Sequence, residues 1–362
     1  MYCTAFGLGF GHASRVLGIT RELLRLEADV VLSSFGEGWR LLTRELPDAT
    51  VYRIPTIEIF SRSGSFSVVH VLKRHPDLPL RFYAGLELDM RIIRRHGCRV
   101  VVSDCQFHAL AAARLLDVPV VLITNLLRVP NADPASRLVN WFLREFLSLA
   151  DVVIVPDAPF DESTDLDAEV VWVGPILRVR PDELPGEREI RERFGLPEDT
   201  PIVLVTAGGS PHGRRIVELA VEGIRRLEED VFTIVVSSGL GAEILRGIPG
   251  RVLSYVDNLM ELIKVADVVV THGGHTTISE CACLRTPVVS IPLPGHPEQL
   301  MNARRVEERR LGVALMPEDL SPVRVAEAIR DAMGSRVPRA RLMDGRGAER
   351  AARIVREAMD AP

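Results

Sequence analysis

Cysteine is scarce in this chain. There are five in 362 residues (Cys3, Cys98, Cys105, Cys281 and Cys283), an odd number with no CxxC pair. Neither a disulfide framework nor a thiolate zinc site is indicated, and a reducing cytosol fits. Long hydrophobic runs are lacking too, none nearing the ~18 residues that cross a bilayer. The opening MYCTAFGLGFGHASR has no basic segment ahead of its short apolar stretch and does not read as a signal peptide. Contact with a membrane would then be made from the surface. Nor is there an excess of positive charge: 44 Lys+Arg against 49 Asp+Glu leave a net charge of −5, which argues against a bulk nucleic-acid binder. What is present, 47% hydrophobic and 26% charged residues, is the composition of an ordinary globular protein. At roughly 150 residues per domain the length suggests two.

Short β-branched runs alternate with amphipathic stretches from end to end, the pattern of parallel α/β sheets. Strands are predicted near Tyr2–Phe6, Asp29–Ser34, Arg99–Ser103, Pro119–Thr124 and Asp151–Val155. A second series is predicted at Pro201–Thr206, Val231–Ser237, Arg251–Tyr255, Asp267–Thr271 and Pro287–Ile291. The helical spacing of Val16, Ile19, Leu23 and Leu26 predicts a helix from Ala13 to Leu26. A Pro-, Gly- and charge-rich stretch puts a boundary near Gly174 to Leu184. We draw it as domains 1–176 and 177–362, the last helix being a candidate to pack back on the first domain. The expectation is two Rossmann-like, doubly wound domains facing a cleft, with ligands at the C-terminal ends of the strands. Phe60 to Arg81 reads as a long loop, and the apolar Ser136 to Ala150 as either a packed helix or a membrane- or acceptor-facing patch.

Three glycine turns carry the chemistry. Gly7-Leu-Gly9-Phe-Gly11-His12 lies between a strand and a helix, where backbone can approach a ligand and helix N–H groups are free. Its sixth position is His12 and no acidic residue ends the second strand, which disfavours a nicotinamide enzyme. His12 is either a general base or a cap of its own helix. Asp104, at the end of RVVVS, either accepts the His12 Nδ1–H or caps the next helix. Gly208-Gly209-Ser210 suits a diphosphate. In the third turn, Gly273-Gly274 precede His275 and Thr276, which open a helix able to hold phosphate oxygens through its amides. Glu280, one turn further in, offers the two oxygens a ribose diol needs, and Glu298 and Gln299 stand at the next βα corner.

These residues resemble a GT-B glycosyltransferase. The pattern His272-x-Gly274-x-x-Thr277-x-x-Glu280, then Pro287, then Glu298-Gln299-x-x-Asn302-Ala303, is similar to the nucleotide-sugar signature of the UDP-glycosyltransferases and of the MurG-like family 28 enzymes. Gly208-Gly209-Ser210 matches their phosphate loop, and the GxGxGHxxR opening, Gly7 to Arg15, is similar to that of archaeal and bacterial MurG-like proteins. The resemblance implies that Glu280 holds the ribose, that Gly273, Gly274, His275 and Thr276 meet the diphosphate, and that Glu298 and Gln299 read the sugar. It further implies that Val256 backbone meets the base, and that His12, oriented by Asp104 and flanked by Gly9 and Gly11, serves the acceptor side. The opening differs from the usual GGTGGH, and Gly174-Pro175 stand where an Asn-Pro pair is usual, which leaves the acceptor open.

The implied reaction is metal-independent transfer with inversion, from a UDP-sugar to a hydroxyl acceptor that is lipid-linked or otherwise, with no cofactor and no nucleic-acid partner. Asp165-Leu166-Asp167 is the sole DxD and lies outside the expected donor site. Rival readings are a UDP-N-acetylglucosamine 2-epimerase-like enzyme and a non-catalytic nucleotide-sugar-binding subunit. The donor implies a cytoplasmic location. Basic groups at Lys73, Arg74, Arg91, Arg94 and Arg95, with the apolar Trp141–Phe146 stretch, either dock on the membrane face or form a solvated surface.

Overall fold

A computed structural model describes residues 1–55, 76–128, 134–159, 166, 168–206, 213–237 and 240–360. The chain divides into two compact units, one running to Arg178 and resuming at Arg341, the other Val179–Ala340.

The first unit contains β1 (Tyr2–Ala5), α1 (Gly11–Arg25), β2 (Val31–Ser34), α2 (Gly36–Glu45), β3 (Thr50–Arg53), α3 (Leu78–Arg95), β4 (Val101–Asp104), α4 (Phe107–Leu115), β5 (Val120–Ile123), α5 (Pro134–Leu147), β6 (Val152–Val155) and β7 (Glu169–Trp172). The second contains α6 (Glu187–Phe194), β8 (Ile202–Thr206), α7 (Arg214–Ile224), β9 (Phe232–Val236), β10 (Gly250–Leu253), α8 (Leu259–Val265), β11 (Val268–Thr271), α9 (His275–Leu284), β12 (Val288–Ser290), α10 (Pro297–Glu308), β13 (Gly312–Ala314) and α11 (Pro322–Met333). The last helix, α12 (Gly347–Asp360), belongs to the first unit.

Both sheets are parallel, with orders β3-β2-β1-β4-β5-β6-β7 and β10-β9-β8-β11-β12-β13. Successive strand side chains face opposite sides, so a buried strand needs apolar residues at nearly every position. In β1, Cys3 and Ala5 join Val16, Leu17 and Leu23 of α1 and Ala351 and Val355 of α12 in one core. Tyr2 points the other way, into a core with Ile92 and Ile93 of α3 and Ala109 and Ala113 of α4. A third core gathers Val203 and Val205 of β8 with Val217 and Val221 of α7 and Val325 and Ile329 of α11. The return of α12 is fastened by polar bonds as well: Gly347 N donates to Pro175 O at 3.2 Å and Arg350 Nε to Val173 O at 2.6 Å.

The strands predicted from the sequence all form, within a residue or two at their ends. Beyond them the sheets carry β3, β7 and β13, edge strands of three or four mostly half-exposed residues that lack an apolar run to betray them. The loop expected to reach Arg81 stops earlier, because α3 opens at Leu78, with Arg81 paired to Asp77 at 2.7 Å. The remainder of that loop up to residue 75 lies outside the described residues.

Candidate active site

In each sheet the winding direction reverses between two adjacent strands, β1 and β4 in the first and β8 and β11 in the second. Ligands of doubly wound sheets gather outside the C-terminal ends of strands at such points. Gly9, Gly11, His12, Asp104, Gly273, Gly274, His275 and Thr276 fall at those points, while Val256 follows β10, Glu280 lies within α9, and Glu298 and Gln299 open α10 after β12.

In the first unit, the β1–α1 turn holds Gly9 at φ +68, a left-handed conformation that disfavours a side chain even though an added Cβ would meet nothing within 4 Å. Gly7 has a packing duty instead: a Cβ there would lie 2.0 Å from the Phe35 carbonyl oxygen. α1 then starts at Gly11 with no side chain capping its first turn, and His12 is its second residue. Asp104 ends β4 in register with Ala5 of β1. His12 Nδ1 lies 2.6 Å from Asp104 Oδ1. Asp104 does not cap α4, whose N-cap is Gln106.

Arg15 completes the cluster. Its Nε donates to Asp104 Oδ2 at 2.7 Å and its terminal nitrogen to Oδ1 at 2.8 Å, a forked pair. Burial by itself would lower the basicity of His12, but the Asp104 charge and hydrogen bond outweigh it and raise the imidazole to about 10. Burial would raise Asp104, yet the charges of Arg15 and His12 hold it down at about 2. His12, Asp104 and Cys105 each bring a potential metal-ligand atom within 4.8 Å of the others. The guanidinium already uses both Asp104 oxygens, and its charge opposes a cation there.

In the second unit, Gly273 stands at φ +85 after β11, and a Cβ on it would come 2.9 Å from Ser290 Oγ. Asn302 Nδ2 donates to the Gly273 carbonyl at 3.0 Å, bracing the turn from α10. α9 begins at His275 with Gly274 as an N-cap that offers no side chain, leaving first-turn amides for a ligand. His275 is buried and Gly274 and Thr276 half-buried. Glu280 is buried within α9, and together with burial its charge pushes the Cys281 thiol well above its usual value. Glu298 is half-buried on the first turn of α10. The Gln299 side-chain oxygen accepts from Leu293 N at 2.9 Å, so it also shapes its own loop. Val256 is half-buried between β10 and α8. Burial and the His296 charge, partly offset by Glu298, lower His272 to about 4 and keep it neutral at ordinary pH.

Gly208, Gly209 and Ser210 lie outside the described residues, as do Asp165, Asp167, Lys73 and Arg74. Arg91, Arg94 and Arg95 sit exposed on α3. On α5, Leu138, Trp141 and Phe142 are 54%, 54% and 49% exposed, while Phe146 stacks on Phe107. Among the described residues no helix is long and apolar enough to cross a membrane. The sequence reading gave no role to Arg15, Asn302 or His272. Each stood inside a quoted motif, which was the available signal.

Two doubly wound parallel sheets with helix amino termini at their reversal points define a two-unit α/β protein of the GT-B class. Comparison with known proteins narrows this. Residues 202–357 match the glycosyltransferase family 28 C-terminal domain. The chain is 59% identical over 354 residues, 95% of its length and 100% of the relative's, to a protein of Methanopyrus kandleri described as an uncharacterized glycosyltransferase. It is 30% identical to the UDP-N-acetylglucosamine--N-acetylmuramyl-(pentapeptide) pyrophosphoryl-undecaprenol N-acetylglucosamine transferase of Nocardioides sp., covering 96% of this chain and 95% of that one. In fold it is similar to Acinetobacter baumannii MurG, with TM-score 0.63, 17% identity and coverage of 99% and 97% of the two chains. The calicheamicin glycosyltransferase CalG4 gives TM-score 0.69, 19% identity and coverage of 100% and 99%. The chain belongs to the MurG-like family 28 glycosyltransferases.

Proposed function

We propose that this glycosyltransferase moves a hexose or N-acetylhexosamine from a UDP-sugar to a hydroxyl acceptor, inverting the anomeric centre, with His12 as general base. The observation that carries the reading is the 2.6 Å contact between His12 Nδ1 and Asp104 Oδ1 at the winding reversal of the first sheet. With Nδ1 committed to Asp104, Nε2 is the nitrogen left to take the acceptor proton, and Asp104 stabilises the imidazolium that results.

The donor reading rests on the second unit. The open first turn of α9 after Gly274 offers amide donors and a partial positive charge to the departing diphosphate. Gly208, Gly209 and Ser210 would add amides to it, while Glu280 would hold the ribose, Glu298 and Gln299 the sugar hydroxyls and Val256 backbone the base. Charge neutralisation by these groups makes a divalent cation unnecessary in this scheme. The N-acetylglucosamine transferase named above supports a nucleotide-sugar donor and a polyprenyl-linked acceptor.

A lipid-linked acceptor also agrees with the exposed Leu138, Trp141 and Phe142 on α5, a contiguous apolar surface suited to the face of a membrane. In this reading the protein works in the cytoplasm, where nucleotide sugars are made, at the membrane surface.

The test is a screen of radiolabelled UDP-hexoses and UDP-N-acetylhexosamines against a native lipid extract. Label passing into the lipid phase from one donor is expected. Donor conversion without an acceptor, or no transfer from any UDP-sugar, would overturn the reading. Flotation with anionic liposomes, lost in Trp141→Ser/Phe142→Ser, checks the membrane contact.

A further inference from the structure

Asp104 is fully buried, and its two oxygens are shared between two cationic neighbours. His12 and Arg15 leave α1 three residues apart, on the same face of the helix. Oδ1 accepts from His12 at 2.6 Å and from the Arg15 terminal nitrogen at 2.8 Å, while Oδ2 accepts from Arg15 Nε at 2.7 Å. The same terminal nitrogen stands 2.9 Å from His12 Nδ1. Both nitrogens point hydrogens at Asp104, so a fixed positive charge is pressed against the imidazole. Arg15 is 3% exposed, which leaves water little room to screen that charge.

We propose that Arg15 is a positioning residue of this site: it holds the Asp104 carboxylate in place and offsets part of its charge, so that the imidazole of His12 keeps its proton less tightly than it would beside Asp104 alone. The proposal deepens the reading of His12 as a base and rests on it for its catalytic meaning. With Arg15 present and His12 neutral, the cluster has no net charge; protonating His12 adds an uncompensated positive charge. Without Arg15 the balance reverses, because Asp104 is compensated only when His12 keeps its proton. A half-buried histidine beside a lone carboxylate would hold that proton to still higher pH and serve as a base only there. The guanidinium stays charged at all working pH, so its influence is constant and the titration observed is that of His12. Among the described residues, the groups facing His12 are Asp104 at the end of β4, Cys105 in the turn that follows, Arg15 on α1 itself, and the Phe6 ring, whose centroid is 5.6 Å away.

The experiment follows the His12 ring signals by NMR against pH in the full chain, for wild type, Arg15→Met, Arg15→Lys and Asp104→Asn. Arg15→Met should move the His12 midpoint up by about one pH unit or more, and Arg15→Lys, which keeps charge without the fork, by less. Asp104→Asn nearly preserves shape and removes the carboxylate that holds the proton, leaving burial and the Arg15 charge to lower the midpoint below the ordinary imidazole value of 6.5. If Arg15→Met fails to fold, Arg15→Lys decides the matter: its midpoint should rise, and one that is unchanged or lower overturns the proposal. A midpoint that is unchanged or lower in Arg15→Met, or one that stays at or above 6.5 in Asp104→Asn, overturns the proposal. The pH–rate profile separates it from the base assignment. If His12 is the base, Arg15→Met should lose about tenfold in kcat/KM below its midpoint and recover at higher pH. Midpoints that shift as expected, with a rate that ignores them, would leave Arg15 acting on His12 and remove His12 as the base.

Discussion

His12 and Asp104 are 92 residues apart in the chain, yet their side chains meet at 2.6 Å. The cause is the pairing of β1 with β4, which sets Ala5 beside Asp104 and so brings the start of α1 over the end of β4. His12 and the carboxylate beside it thus come from a helix start and a strand end that a doubly wound sheet makes neighbours.

His12→Ala should lower kcat by about 10²- to 10⁴-fold, the usual worth of a positioned base. UDP affinity should stay within about twofold, because the base acts in the transition state and the donor turn is carried by other residues. Transfer assays paired with UDP calorimetry check this. Normal turnover in the variant would remove His12 from the reaction.

Because Asp104 raises the His12 imidazole from 6.5 to about 10, the proton is held more tightly in the folded than in the unfolded chain. A base must be neutral, so the rate should climb with pH and its acid limb should lie above 6.5. The stabilising effect of the His12 proton is complete below 6.5 and disappears as pH rises through about 10. The stability gap between wild type and His12→Ala, measured by denaturant unfolding, should therefore narrow between pH 6 and pH 10. Asp104 has the opposite sense: its contribution holds above 3.8 and fades as pH falls toward about 2.

Glu280→Gln should weaken UDP binding about tenfold if the carboxylate takes the ribose hydroxyls. Glu280 is buried in α9, so its loss could instead loosen the fold. Calorimetry with UDP beside a thermal melt tells the two apart: a lower Tm with unchanged affinity would exclude Glu280 from donor binding.

Alanine at Gly9 and at Gly273 should have unequal costs. Both glycines have positive φ, and the left-handed conformation alone costs an alanine about 1–2 kcal/mol. At Gly9 that is the whole effect, since an added Cβ meets nothing within 4 Å. At Gly273 the new Cβ also comes 2.9 Å from Ser290 Oγ, in the turn that Asn302 braces. Gly273→Ala should be the less stable of the two in urea and should weaken UDP binding, while Gly9→Ala leaves UDP binding unchanged.

How legible each part was depended on how local its determinants are. The strands of the sheet interiors could be read because burial on both faces demands continuous Val, Ile and Leu, as in β8 or β11. β3, β7 and β13 could not, since an edge strand with half-exposed residues needs no such run. Gln299 was read as a sugar contact, whereas its oxygen also holds Leu293 N, a bond that depends on how the 293–299 loop folds back. Asn302 was visible as part of a motif, but nothing in its spacing announced a bond to the Gly273 carbonyl.

The amino-acid sequence alone determined the alternating α/β architecture, the glycine turns and the motif between Thr271 and Ala303 that resembles a family signature, because periodicity, turn chemistry and helix starts act over a few residues. Only the tertiary structure decided that Asp104 turns to His12 instead of capping α4, that Arg15 shares its oxygens, and that α12 returns to the first unit. Those outcomes depend on which strands pair and in what register, and on charges that act across space between residues remote along the chain.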